Sequence, residues 1–222
     1  MRVLITAGGT EEPVDSVRRL TNTSTGRTGG VLARHFAGRG AEVLLLHAAR
    51  APLDDVPVER VTFVTFSDLA AALRRLLAGR RFDAVVHLAA VSDYAVAAVE
   101  VDGCSWNSRS RGKIGSGRDL VIRLRPNPKL IDSLREWSSN PEIRVVGFKL
   151  TDEPDAAARE AQVRDLLARS AADLVVHNDV SEIDGERHRA VVWSADGPLL
   201  AVDDTERLAA ALYDLLVQGD SR

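Results

Sequence analysis

Two polar loops hold the residues whose types and spacing could do chemistry. The first, Thr6-Ala7-Gly8-Gly9-Thr10, follows the apolar run Val3-Leu4-Ile5, and the second, Asn22-Thr23-Ser24-Thr25-Gly26, stands just ahead of an apolar pattern at helical spacing. Glycine at positions 8, 9 and 26 lets backbone N–H groups approach an anion with no Cβ in the way, and the helix that follows directs its positive end toward the same place. Hydroxyls of Thr10, Ser24 and Thr25 add donors. Taken singly, Thr10 or Ser24 reads as a turn residue or a helix cap. Taken together, a strand-to-helix connection this long reads as a ligand loop. The glycines do not fit the G-x-G-x-x-G spacing of dinucleotide folds, because a long insert separates Gly8-Gly9 from Gly26. The loop therefore suits a ligand larger than a bare pyrophosphate, or two ligands side by side.

Two more residues join this set. Asp83-Ala84-Val85-Val86-His87-Leu88-Ala89-Ala90 reads as a core strand that ends in small residues and runs into Val91-Ser92-Asp93-Tyr94. Small residues at a strand's carboxyl end leave room for a ligand in the crevice of an open α/β sheet. Asp93 can accept ribose hydroxyls there, help to hold a metal-bound phosphate, or cap a turn. The stretch 99–118, VEVDGCSWNSRSRGKIGSGR, has no sustained period and is expected to be a mobile excursion. Within it Lys113 is a cation on a flexible tether, which either closes over a triphosphate or stays solvated. Nothing pairs Cys104 with a base. His35, His47, His87, His177 and His188 lack metal-ligand spacing and read as packing or surface residues.

The elements that must position these residues alternate strand and helix. Val31-Leu32 and His35-Phe36 recur at helical spacing up to Gly38-Arg39-Gly40, and Gly29-Gly30 at the start permits close helix-to-strand packing. Residues 41–46 read as the second strand of a right-handed βαβ unit. That strand runs into His47-Ala48-Ala49-Arg50 with no acidic residue to hold a ribose, which argues against an NAD site. Further strands are expected near 61–65, 120–124, 144–150 and 173–177, the last delivering Asn178. Helices are expected on Leu69-Leu73-Leu76-Leu77 and near 129–137, 154–170 and 205–217. A hairpin turns at Asp196-Gly197. The expected fold is α/β, a Rossmann-like doubly wound, mostly parallel sheet with helices on both faces. It is a single domain over 1–222, with a flap at about 99–118 and a C-terminal hairpin.

Composition narrows the class. A chain of 222 residues with 45% hydrophobic residues can bury a full core, and a net charge of −3 gives no support to nucleic-acid binding. One cysteine excludes an internal disulfide and a Cys-rich metal site. With no signal pattern and no apolar run long enough for a bilayer, the chain reads as reduced, cytoplasmic and without a membrane partner.

The blocks ITAGGTEEPVDSVR, TNTSTGRTGG, LAAVSDY, the Lys113 segment, RPNPKL, VGFKL and VVHNDVS, in this order over nearly the whole chain, resemble the phosphopantothenoylcysteine synthetase family. That family is often fused behind a flavin decarboxylase, for which this chain has no counterpart. The resemblance implies activation of the carboxylate of 4′-phosphopantothenate on a nucleoside triphosphate, CTP or ATP, through an acyl-nucleotidylate that the amine of cysteine then attacks. It implies that Asn22 handles the acyl-nucleotidylate and that Lys113 offsets charge at the α-phosphorus. Gly8, Gly9, Ser24, Thr25 and Gly26 would cradle phosphates bridged by Mg²⁺, with no protein ligand assigned to the metal. Asp93 would face the ribose, Ala90 and the backbone around Phe148 would border the base or substrate, and Asn178 would lie at the rim. A homodimer is implied, in which a loop of one subunit completes the other's site. Lys113 is followed by Ile-Gly-Ser-Gly where many bacterial members carry further lysines, and with Phe148-Lys149-Leu150 this looks more like the ATP-using animal enzymes. A paralogous acid–amine ligase and a non-catalytic nucleotide-binding regulator remain open. A short-chain dehydrogenase would need Tyr-x-x-x-Lys, whereas Tyr94 is followed by Ala98 and Tyr213 by Val217.

Overall fold

The computed structural model describes residues 1–53, 55–106, 112–184 and 187–218. The first strand, β1 (Arg2–Ala7), is buried from Val3 onward, as its continuous apolar run requires of a central parallel strand. The polar insert after it forms a small hairpin, β2 (Glu11–Pro13) and β3 (Arg19–Thr21), where the sequence reads only as loop. Helix α1 (Arg27–Gly38) starts at Gly26, which stands at φ +75°. Strands β4 (Glu42–Ala48) and β5 (Glu59–Phe63) follow, and α2 (Phe66–Gly79) opens on a capping box between Thr65 and Asp68.

The next core strand, β6 (Ala84–His87), leads into an antiparallel arm of β7 (Tyr94–Val101), β8 (Cys104–Trp106) and β9 (Leu120–Pro126). The expected excursion at 99–118 therefore starts inside an ordered strand. Val99 and Val101 pack with Val14 and Ile114 in a small cluster apart from the main core. Part of that stretch, 107–111, lies outside the described residues. The strand expected at 120–124 belongs to this arm, not to the main sheet. The expected helix near 129–137 is a 3₁₀ turn, Leu130–Ser133, followed by one turn of α3 (Leu134–Trp137). The chain then forms β10 (Arg144–Thr151), α4 (Ala156–Ser170) and β11 (Leu174–Asp179). A minor hairpin pairs β12 (Ile183–Asp184) with β13 (Arg187–His188), and the chain closes with β14 (Ala190–Ser194), β15 (Gly197–Val202) and α5 (Thr205–Gln218).

The main sheet has eight strands in the order β15-β14-β11-β10-β6-β1-β4-β5, parallel except for the β14–β15 hairpin at one edge. Helices α1 and α5 pack together on one face, and α2, α3 and the 3₁₀ turn on the other with α4. A Cβ on Gly29 would stand 2.4 Å from the Cβ of Ala7, so α1 reaches β1 only because glycine is there. This is the doubly wound sheet that the strand–helix alternation predicts. Strand order reverses between β1 and β6, the place where such sheets leave a crevice at their carboxyl ends.

Candidate functional site

The crevice is built from main chain before any side chain enters it. Beyond the ends of β1 and β6 the two strands stay zipped: the Ala90 amide donates to the Gly8 carbonyl at 2.9 Å, and the Thr10 amide donates to the Ala90 carbonyl at 3.1 Å. The loop before α1 folds back onto this seam. A Cβ built on Gly9 would stand 2.8 Å from the Asn22 carbonyl, and one on Gly26 would stand 3.1 Å from the Gly8 nitrogen. The two glycine-bearing loops thus converge, as their residue types suggest. Asn127 fastens the third wall, its amide donating to the Asp93 carbonyl and its Nδ2 to the Ser92 carbonyl.

Around this seam lies a cleft of about 960 Å³. Asn22, Ser24, Thr25 and Gly26 line one side, Ala90 and Asp93 the floor and second wall, and Phe148 and Asn178 the far rim. Asn22 is exposed, and its Nδ2 donates to the Val91 carbonyl at 3.2 Å, leaving its Oδ1 open. Asn178 is buried and its Nδ2 donates to the Arg189 carbonyl at 2.7 Å. Asp93 is exposed and pairs with Lys129 at 2.5 Å.

Three residues expected to touch phosphate stand behind the wall instead. Gly8, Gly9 and Thr10 are buried and do not line the cleft. The Thr10 hydroxyl donates to Ser92 Oγ at 3.0 Å and accepts from the Ser92 amide at 2.9 Å, so it ties the two loops together and has no proton left for a ligand. Lys113 also stands off the cleft lining, exposed, one residue before a fixed point. That point is Ile114, whose amide donates to Asp15 Oδ2 at 3.0 Å and whose carbonyl accepts from the Arg18 guanidinium at 3.1 Å. Burial acts to raise the pKa of Asp15, but amides of Val17, Ile114 and Arg18, with the Arg18 side chain, outweigh it and hold the carboxyl well below the usual carboxylate range.

Sequence reasoning passed over the charge of the lining. Arg27, Lys129, Lys149 and Arg169 border the cleft, and Asp93 is the one carboxylate among its described residues. Asp132 holds Arg169 and Asp93 holds Lys129, so in a chain of net charge −3 the free positive charge of the cleft comes, among the described residues, from Arg27 and Lys149, which the N-terminus of α1 reinforces. Lys129 and Lys149 sit inside the blocks RPNPKL and VGFKL, so helix and strand placement could have pointed to them. Arg169 reads in the sequence only as one of several basic residues on a helix. His87 also lines the cleft, although the sequence offers it only as a packing residue. At the far end of the sheet Asp179 accepts from Ser181 Oγ and Thr151 Oγ1, both at 2.5 Å, and these bonds hold its pKa low against burial. The cluster fixes the carboxyl ends of β10 and β11 beside Asn178. Among the described residues no three His, Cys, Asp or Glu side chains gather as a metal site, and no helix is long and apolar enough to cross a membrane.

Comparison with known proteins shows the family. Residues 1–218 match the model of the DNA/pantothenate metabolism flavoprotein C-terminal domain. The coenzyme A biosynthesis bifunctional protein CoaBC of Thermococcus kodakarensis is 33% identical over 218 residues, covering 96% of this chain and 50% of that protein. Its Mycobacterium tuberculosis counterpart is 34% identical over 210 residues, covering 92% and 47%. The chain thus spans about half the length of these curated relatives. The crystal structure of the DNA/pantothenate metabolism flavoprotein from Streptococcus pneumoniae superposes with a TM-score of 0.86 at 28% identity, covering 98% of this chain and 99% of that one. A complex of a Cab2 mutant with phosphopantothenate-cysteine shares the fold, with a TM-score of 0.71 at 20% identity, covering 100% of this chain and 89% of that one. With the match running from the first residue through α5, the chain belongs to the DNA/pantothenate metabolism flavoprotein C-terminal domain family.

Proposed function

We propose that the protein is a phosphopantothenate–cysteine ligase. The observation that carries this reading is the basic lining of the cleft at the convergence of the Asn22–Gly26 loop and the β6 end, where Arg27 and Lys149 join Lys129, paired with Asp93, and Arg169, paired with Asp132. Such a lining favours a polyanion, and its volume suits a nucleotide with a second substrate beside it. The carboxylate oxygen of 4′-phosphopantothenate attacks the α-phosphorus of CTP or ATP, the bond to the β-phosphate oxygen breaks, and pyrophosphate leaves. The amine of cysteine then attacks the acyl carbon, loses a proton, and displaces the nucleoside monophosphate to leave an amide. The relatives named for coenzyme A biosynthesis support this choice of acid and amine.

The residues serve these steps through position and charge. The N-terminus of α1, with Ser24, Thr25 and Arg27, would hold the nucleotide phosphates, with Lys129 offsetting their charge, while Lys149 would face the second substrate, itself an anion. Asn22 would donate to the developing acyl oxyanion without competing as a nucleophile. Lys113 would reach the α-phosphorus on closure of the segment that Ile114 anchors. Mg²⁺, held mainly by the phosphates themselves, would supply further charge neutralisation, and Asp93 is the carboxylate within the lining that could join it. Exposed Tyr94, Leu120, Val121 and Leu124 on the arm support a homodimer formed through that arm.

Incubation with phosphopantothenate, cysteine and either CTP or ATP tests the reading, with pyrophosphate release as the measurement. Release that depends on both the acid and the nucleotide is expected, with an acyl-nucleotidylate detectable by mass when cysteine is omitted. Nucleotide binding without pyrophosphate would show a regulator instead, and sedimentation reads the dimer directly.

A further inference from the structure

One side chain in the cleft has a polar atom left over. His87 ends β6, is 7% exposed and lines the cleft. Its register partners are Thr6 on β1 and Gly147 on β10, so it faces the same side of the sheet as they do. The face above Gly147 is closed by Ile131 and Leu166. The floor beside His87 is thus formed by Ile131 and Leu166, with Lys149 further along the same face of β10, whereas the α1 N-terminus rises from the opposite face of the sheet.

Hydrogen-bond partners assign a tautomer to the ring. Thr6 Oγ1 accepts from the Ala89 amide at 3.0 Å and lies 3.0 Å from His87 Nδ1. Nδ1 is the acceptor the structure offers to the Thr6 hydroxyl proton, so the ring proton sits on Nε2. Nε2 has no partner among the described residues, and it belongs to a cleft-lining ring. Burial pushes the His87 pKa down to about 4, so the ring is neutral at neutral pH.

We infer that His87 determines base specificity: its Nε2–H donates one hydrogen bond to a ring nitrogen of the base of the bound nucleoside triphosphate. This rests on the ligase reading above and deepens it. The phosphates belong at the α1 end, where the positive helix terminus and Arg27 lie, and the floor of Ile131 and Leu166 takes the base. A neutral donor there accepts cytosine or adenine, whose Watson–Crick ring nitrogen is an acceptor. It rejects uracil and guanine, which carry N–H at that position and would leave two donors facing each other.

The test is direct binding of CTP, ATP, UTP and GTP to the protein and to two variants, His87→Asn and His87→Gln. Asn can keep the Thr6 contact but falls short of the Nε2 position, whereas the amide nitrogen of Gln reaches it. Wild type is expected to bind CTP over UTP, or ATP over GTP, by about tenfold, the scale of one net hydrogen bond. The Asn variant should lose that ratio and the Gln variant should retain it. In labelled wild-type protein the Nε2–H resonance should move with nucleotide and stay put with inorganic triphosphate, a readout that needs no variant to fold. Unchanged discrimination in the Asn variant, none in wild type, or an equal resonance shift with triphosphate overturns the inference while leaving the ligase reading standing. A wild-type protein that binds no nucleotide ends both.

Discussion

The cleft and the arm solve the same problem, holding a polar loop in place, by opposite means. In the cleft the loops are fastened by main-chain bonds to each other and to strands buried in the large core, so Asn22, Gly26 and Ala90 have little freedom to shift. The arm is fastened to the hairpin β2–β3 by Asp15 and Arg18, which hold the Ile114 amide and carbonyl, and by the four-residue cluster of Val14, Val99, Val101 and Ile114. A small cluster and a few hydrogen bonds open at far lower cost than a central sheet. Under the proposed ligase reading the comparison suggests a division of labour: the groups assigned to align substrate stand on the rigid part, and Lys113, assigned to close over the α-phosphorus, stands on the part that can open.

The largest expected effect is chemical. Asn22→Ala should lower pyrophosphate-linked turnover by about 10²–10³-fold, the usual cost of losing one oxyanion donor. Its melting temperature should stay within a degree or two of wild type, because Asn22 is exposed and its side chain makes a single bond to the Val91 carbonyl. A large drop in melting temperature would mean that Asn22 holds the wall together, and the cleft would then be less preformed than its backbone bonds suggest.

Acid should separate the two regions next. Unfolded, His87 takes up a proton near pH 6.5; folded, only near pH 4. Between those values the unfolded chain binds more protons, so stability is unaffected above pH 6.5 and falls as pH drops toward 4, by about 3 kcal/mol in all. His177 adds in the same direction, since burial lowers its pKa despite the opposing charge of Asp179. Asp15, held below the carboxylate range, keeps the arm charged and fastened through this window. Urea denaturation at pH 7 and near pH 4.5 measures the loss, and His87→Asn should flatten it. An arm that becomes protease-sensitive before the sheet weakens would reverse the assignment.

Ile114→Ala attacks the arm alone. Deleting a buried side chain from so small a cluster should cost about 2 kcal/mol, the low end for such truncations, and should appear as local opening of the arm. Nucleotide affinity should be unchanged and turnover reduced, because Lys113 loses its anchor one residue away. A matching loss of nucleotide affinity would tie the arm to the cleft more tightly than the geometry does.

The same contrast explains what could be read beforehand. Runs such as Val3–Ile5 and Leu174–Val176 are buried on both faces of a parallel sheet, so their composition alone marks them as core strands. Asn22, Ser24, Thr25 and Gly26 were legible as cleft lining because amide, hydroxyl and glycine residues just ahead of a helix suit a loop at a sheet's carboxyl end. Thr10 was misjudged because a hydroxyl's partner is a tertiary fact: nothing near it in sequence announces Ser92, 82 residues away. The arm was misjudged because its strands are half-exposed and pair across 94–126, so the alternation that marks a half-buried strand is blurred. The basic lining escaped notice because its members come from four separate elements and only the fold collects them.

The smallest effect tests whether that lining is structural at all. Lys129 and Asp93 form an ion pair with both side chains more than half exposed, 52% and 61%. Pairs of that kind contribute about 0–1 kcal/mol, since water screens them and two long side chains lose freedom in forming them. Lys129→Met should therefore leave stability unchanged within about 0.5 kcal/mol, as its surface location dictates. The KM for the nucleoside triphosphate should nevertheless rise several-fold, with kcat little changed, and the gap from wild type should narrow as salt rises, because the lost contact is electrostatic. Were stability to fall instead, with KM unmoved, Lys129 would be a strut of the Asp93 turn, and that wall of the cleft would depend on a side-chain pair where the rest depends on main chain.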